Sequence, residues 1–187
     1  MSSLLTFSQF RSVLWPTEHK LVKELSLILL GVCLLAAASQ IVIPLQPVPL
    51  TFQSAAVILL GMLYGSRLAS FTIITYLIAG GLGLPLFAQL SSGFSVFTGA
   101  TSGYLIGFIP AAWLSGFLAE RGFARNIGIA FLTACFSVSV IFALGLIVLS
   151  QFTGWTKAFS LGLAPFVITE PLKLFAISLI IPYCWKK

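Results

Sequence analysis

The feature that most constrains the fold is a succession of apolar runs, at residues 25–43, 52–64, 68–79, 103–118, 126–152 and 161–182. A helix needs about 20 apolar residues to cross the hydrocarbon of a bilayer. Four runs approach or exceed that length, while 52–64 and 68–79 are short and imply tilt or a locally thinner bilayer. The runs take up more than half of the chain. Hydrophobic residues make up 59% of the sequence and charged residues only 7%, against roughly 45–50% and 25% in soluble domains. Water cannot be the solvent of such a surface. The expected fold is an all-α integral membrane protein of six transmembrane helices.

The first run follows Lys20 and Lys23, as in a secretory signal, and Ala36-Ala37-Ala38 offers small residues for cleavage. The run continues through Ile41-Val42-Ile43, beyond the ~7–15 apolar residues of a signal segment, so a retained helix is expected. Residues 1–24 then form a cytoplasmic arm, with Leu4, Leu5, Phe7, Phe10, Val13, Leu14 and Trp15 as membrane-interface contacts. Residues 25–187 form the six-helix membrane domain.

Lysine and arginine set the orientation. With both termini cytoplasmic, the inner segments hold Arg11, Lys20, Lys23, Arg67, Arg121, Arg125, Lys186 and Lys187. The outer loops hold only Lys157, and Lys173 lies within the last run. The expected location is therefore the plasma (inner) membrane, crossed several times. A net charge of +6 on 187 residues does not imply nucleic-acid binding, because the basic residues are confined to chain ends and short gaps rather than interleaved with aromatics. Cys33, Cys135 and Cys184 are far apart, and the one histidine, His19, precedes the first run. No metal-ligand spacing results.

On this topology the uncharged connections 44–51 and 80–102 lie outside. Irregular backbone at membrane depth is tolerated where protein buries it or where it lines a cavity. Both connections are therefore expected to fold inward over an outward-facing pocket.

Glu170 and Lys173 are the only charges deep inside any run. Their i,i+3 spacing places them on one helix face, and a single helix over 161–182 puts Glu170 roughly 14 Å from its outer end. Ionisable groups at that depth cost at least ~2.5–3.5 kcal/mol on insertion scales and usually mark a site. Mutual neutralisation alone would explain the pair structurally. A ligand site would instead use Lys173 for a carboxylate and Glu170 for N–H donors, with charge-assisted bonds. Pro171 removes an N–H and frees a carbonyl one turn earlier.

In Gln46-Pro47-Val48-Pro49-Leu50-Thr51-Phe52-Gln53, the two prolines favour extended chain, leading into a helix with Thr51 as its N-cap and Gln53 just inside. Gly83-Leu84-Pro85-Leu86-Phe87-Ala88-Gln89 and Gly99-Ala100-Thr101-Ser102-Gly103-Tyr104 supply flexible backbone and a ring with a hydroxyl. Gly80-Gly81-Leu82-Gly83 lacks dinucleotide-loop spacing, and no Gly-Lys-Ser/Thr occurs. ATP, if it drives transport, must act on another chain.

These segments resemble the BioY family, the biotin-specific substrate-capture (S) components of energy-coupling-factor (ECF) transporters. The resemblance rests on Gln40-Ile41, Ile43-Pro44, Pro47 to Gln53, Gly83-Leu84-Pro85, Gly103-Tyr104-Leu105-Ile106-Gly107-Phe108, and Pro165-Phe166 leading to Glu170 and Lys173. It implies an ECF S-component-like fold with biotin as transported ligand and no cofactor. Lys173, Glu170, Tyr104, Gln89, Thr51, Gln53 and Ser102 would contribute to binding. Partners would be the ECF transmembrane coupling protein, docking near Cys33 and Ala37, and ABC ATPases, within the lipid bilayer. The rival readings are a solitary or proton-coupled vitamin carrier, working as a homo-oligomer, and a small membrane enzyme. An enzyme is disfavoured because no histidine, paired acids or activated nucleophile occupies the runs.

Overall fold

The computed structural model describes residues 20–185. Helix α1 spans Lys20–Gln40 and leads into a small antiparallel hairpin, β1 (Val42–Ile43) and β2 (Leu50–Thr51). Val42 pairs with Thr51 and Ile43 with Leu50. Helices α2 (Gln53–Tyr64) and α3 (Ser66–Gly81) follow, then a loop with tight turns at Ala88–Leu90 and Phe94–Phe97. Helix α4 (Ser102–Leu118) continues into a π-helical turn, Ala119–Phe123. Helices α5 (Ile127–Thr153), α6 (Trp155–Gly162) and α7 (Phe166–Trp185) complete the order.

Among the described residues, four helices are long and apolar enough to cross a membrane: α1, α4 with its π turn, α5 and α7. The 12-residue α2 and 16-residue α3 match the two short runs. The amphipathic arm expected before α1 lies almost wholly outside the described residues.

Lipid tails are as apolar as leucine, so helices in a bilayer associate through close packing and polar contacts rather than by hydrophobic exclusion. Small residues supply that closeness here. Gly116 of α4 lies against the backbone of Gly65 and Ser66, and Gly107 against Ile141 of α5. A side chain at either position would push two helices apart. The Glu120 carboxylate accepts from the Ser66 backbone N–H at 2.8 Å and lies 3.1–3.2 Å from the Ser66 hydroxyl. It caps α3, and an anion there also suits the positive end of the helix dipole.

Two local expectations are corrected. Thr51 is not the N-cap of α2: Phe52 occupies that position without a side-chain cap, although the Gln53 N–H donates to the Thr51 hydroxyl at 3.3 Å. The last run is not one helix from residue 161. Pro165 has no N–H to continue a ladder and disfavours helical backbone at the residue before it, so α6 ends at Gly162 and α7 begins at Phe166. Glu170 thus stands four residues into α7, roughly 6 Å along its axis, and not roughly 14 Å down.

Candidate functional site

Glu170 and Lys173 are 4% and 6% exposed and are the only buried charged residues among those described. They form a direct ion pair within α7. The lysine ammonium also donates to the Thr51 carbonyl at 2.8 Å and to the Ser54 hydroxyl at 3.1 Å. An ammonium has three N–H donors, and all three have protein acceptors here. The Phe52 ring lies 5.7 Å away and adds a cation–π contact. The Ser54 hydroxyl approaches both carboxylate oxygens, at 3.0 and 2.8 Å. It accepts a hydrogen bond from the lysine ammonium and donates one to the glutamate. The carboxylate therefore sits over the first turn of α2, where the helix dipole favours negative charge.

Glu170 faces a cavity of about 510 Å³, within the ~300–1,000 Å³ usual for small-molecule sites. Both uncharged connections contribute to its wall, through residues 45–49 of the hairpin turn and through Phe87, Ala88, Gln89 and Ser91. Strand β2 adds Thr51, and the helices add Gln53 and Ser54 at the start of α2, Tyr104 and Phe108 of α4, Phe142 of α5 and Phe166 of α7. Glu170 is the one charged residue in this lining.

The structure thus brings Thr51, Gln53, Gln89, Tyr104 and Glu170 to one cavity. Lys173 and Ser102 are buried but do not line it. Lys173 is set back from this lining, its ammonium engaged by three protein acceptors. The Tyr104 hydroxyl donates to the Gly162 carbonyl at 3.0 Å, and its ring stands edge-on to Phe142 at 6.0 Å. Tyr104 presents a ring to the cavity while its hydroxyl ties α4 to α6.

A chain of hydrogen bonds runs from the cavity wall into the loop after α3. The Gln53 amide donates to the Tyr76 hydroxyl at 2.6 Å, and Tyr76 donates to the Leu86 carbonyl at 2.8 Å. The Ser39 hydroxyl lies 2.8 Å from the same carbonyl, and the Gln40 amide donates to Ser39 at 2.6 Å and to the Phe87 carbonyl at 3.0 Å. The Gln40 carbonyl oxygen accepts from the Leu90 N–H at 3.2 Å. Gln89 and Leu90 both hold positive φ, 57° and 56°. That left-handed backbone costs roughly 1–2 kcal/mol per non-glycine residue and persists only where surrounding contacts fix it. Phe87, 2% exposed, anchors the loop between the rings of Tyr76 and Phe97, at 5.4 and 5.9 Å. Gly80 makes room for it.

Sequence reasoning gave no role to Ser54, Tyr76, Phe87, Phe142 or Phe166, although Phe87 and Phe166 lie in segments it singled out. Ser54 carried a signal, as a hydroxyl directly after Gln53 at the head of an apolar run. Phe142 carried none among 17 phenylalanines.

A model of the BioY family matches residues 8–187. The chain belongs to the BioY family. The probable biotin transporter BioY of Pyrococcus horikoshii is 39% identical over 151 residues, covering 81% of this chain and 89% of that protein. The biotin transporter BioY of Thermotoga maritima is 38% identical over 152 residues, covering 79% and 86%. A crystal structure of the S-component for biotin from an ECF-type ABC transporter superposes with a TM-score of 0.78, covering 89% of this chain and 92% of that one. At 23% identity that likeness establishes the fold. In this BioY chain, every residue of the cavity and of the Glu170–Lys173 pair falls inside the matched span. Family membership and the four long apolar helices together make it a membrane protein.

Proposed function

We propose that this BioY protein captures biotin from the external side of the plasma membrane, as the substrate-binding subunit of an ECF-type ABC transporter. One observation carries the reading most: a single carboxylate, neutralised from behind by a lysine, is the only charge in a cavity walled in part by two uncharged loops. Biotin's ureido ring has two N–H donors for such an acceptor. The sulfur-containing ring fused to it is apolar and suits the rings of Tyr104, Phe142 and Phe166. Its valerate chain then runs toward the hairpin turn and the Gln89–Ser91 segment, where polar groups are plentiful. Lys173 acts through Glu170 and Ser54, as a positioning and neutralising residue.

The relatives' names support biotin as the ligand, and the fold likeness supports a subunit of an ECF assembly. The short helices α2 and α3 join the four long ones as spans, giving six with both termini cytoplasmic, in keeping with the distribution of lysine and arginine. Because the chain has no phosphate-binding loop, ATP hydrolysis falls to partner ATPases through a transmembrane coupling protein.

The test is equilibrium binding of radiolabelled biotin to the detergent-purified protein. Saturable binding is expected, with dethiobiotin competing because it keeps both ureido N–H groups and the carboxylate. A monodisperse, folded protein without saturable binding sinks the biotin reading. Uptake in cells that stops on ATP depletion but survives collapse of the proton gradient separates the ECF subunit from a proton-coupled carrier.

A further inference from the structure

A second cavity of about 410 Å³ opens between α5 and α7 on the outer surface of the helix bundle. It shares three residues with the ligand cavity: Phe142, Phe166 and Glu170. The wall between the two spaces is therefore one side chain thick at these positions. Phe142 and Phe166 are 9% and 5% exposed, with ring centroids 5.3 Å apart and planes tilted by 58°. Tyr104 buttresses Phe142 from the ligand side. On the outer side the crevice is almost wholly apolar, and Val167 at its edge is 59% exposed.

We infer that Phe142 and Phe166 form a septum that sets the largest group the site accepts at the ureido end of its ligand. The inference rests on the biotin reading, which places the ureido ring at Glu170, beside both rings. A small substituent on a ureido nitrogen stays inside the ligand cavity. A large apolar one must cross the plane of the septum, and the wild-type rings bar it. Once either ring is removed, the two cavities join and the substituent has an apolar crevice to enter.

The experiment compares two ligands that have lost the same N–H and differ only in bulk: biotin carrying a methyl or a benzyl group on one ureido nitrogen. In the wild type the benzyl compound should bind at least about 100-fold more weakly than the methyl compound, the discrimination expected when a group has no space. Phe142→Ala and Phe166→Ala should each reduce that ratio about tenfold or more. Phe142→Leu and Phe166→Leu provide the same comparison, with a smaller reduction, should the alanine variants not fold. An unchanged ratio in variants that still bind the methyl compound overturns the septum. Wild-type protein that fails to bind biotin at all strikes the function reading itself, which separates the two failures.

A further arm needs no change in the septum. Cys135 lines the outer crevice only, so in a Cys33→Ser, Cys184→Ser background its alkylation by N-ethylmaleimide should leave the biotin Kd within about threefold. A loss of tenfold or more on alkylation would mean that the two spaces already communicate, and would overturn the proposal.

Discussion

Lys173→Met tests whether the lysine serves the ligand site by neutralising Glu170 from behind. The substitution keeps the apolar stem and deletes the ammonium, leaving a carboxylate 4% exposed with only the Ser54 hydroxyl as donor. Removing one partner of a buried ion pair costs about 3–5 kcal/mol, because the survivor is a desolvated, uncompensated charge. A neutral acceptor in its place would hold a ligand's N–H donors less strongly. Hydrogen bonds to charged groups contribute about 1.5–3 kcal/mol and neutral ones about 0.5–1.5. For two ureido N–H donors the difference comes to about 2 kcal/mol, roughly 30-fold in Kd. Adding Glu170→Gln to Lys173→Met removes the buried charge while keeping a carbonyl acceptor in the same place. The double variant should recover most of the lost stability, and biotin binding should remain about 30-fold weaker than wild type. Thermal unfolding in detergent and radioligand binding measure the two quantities. A double variant as unstable as the single one would refute the argument, because the cost would then not come from a stranded charge.

Three further outcomes follow from the loop contacts. Tyr76→Phe deletes the hydroxyl that accepts from Gln53 and donates to Leu86; buried groups left unsatisfied should lower unfolding stability by about 1–3 kcal/mol. Gly80→Val places a side chain where the Phe87 ring now packs, and should appear as faster biotin dissociation. Gln40→Ala frees the Leu90 N–H and the Phe87 carbonyl, and hydrogen exchange at Leu90 should accelerate while the centre of α5 is unchanged.

The helices were legible because lipid exposure writes long apolar runs directly into sequence, and 126–152 became α5 almost unshifted, with Asn126 accepting from the Gly128 N–H at 2.9 Å as its N-cap. The sixth run misled because hydropathy does not register a break between two apolar helices. Pro165 was the available signal, and it moved the start of the last helix to Phe166. Glu170 and Lys173 were legible as isolated charges. Their partners were not, since Thr51 contributes to Lys173 through a carbonyl that every residue has. The loop over the cavity was legible as uncharged and glycine-rich, yet its anchors, Phe87 and the left-handed Gln89–Leu90 pair, depend on tertiary contacts with Gly80 and Gln40. No local pattern announces a phenylalanine that lines two cavities at once.

On the proposed orientation, with the ureido ring at Glu170, the arrangement of charge also accounts for how a cavity whose only charged wall group is acidic can suit an anionic ligand. Biotin carries a carboxylate at the far end of its valerate chain. Two like charges about 10 Å apart repel by about 1.7 kcal/mol at an effective dielectric constant near 20, enough to weaken capture by more than tenfold. Lys173 cancels that repulsion because its ammonium is bonded directly to the carboxylate. Its other two acceptors, Thr51 and Ser54, hold it on the protein side, so the neutralising charge does not occupy the cavity. Glu170 keeps lone pairs for N–H donors while the pair as a whole presents no net charge. A lone glutamate would bind the ureido ring and repel the tail, and a lone lysine would offer the ring nothing to donate to. The i,i+3 pair, locked to α2 by one serine and one carbonyl, meets both requirements.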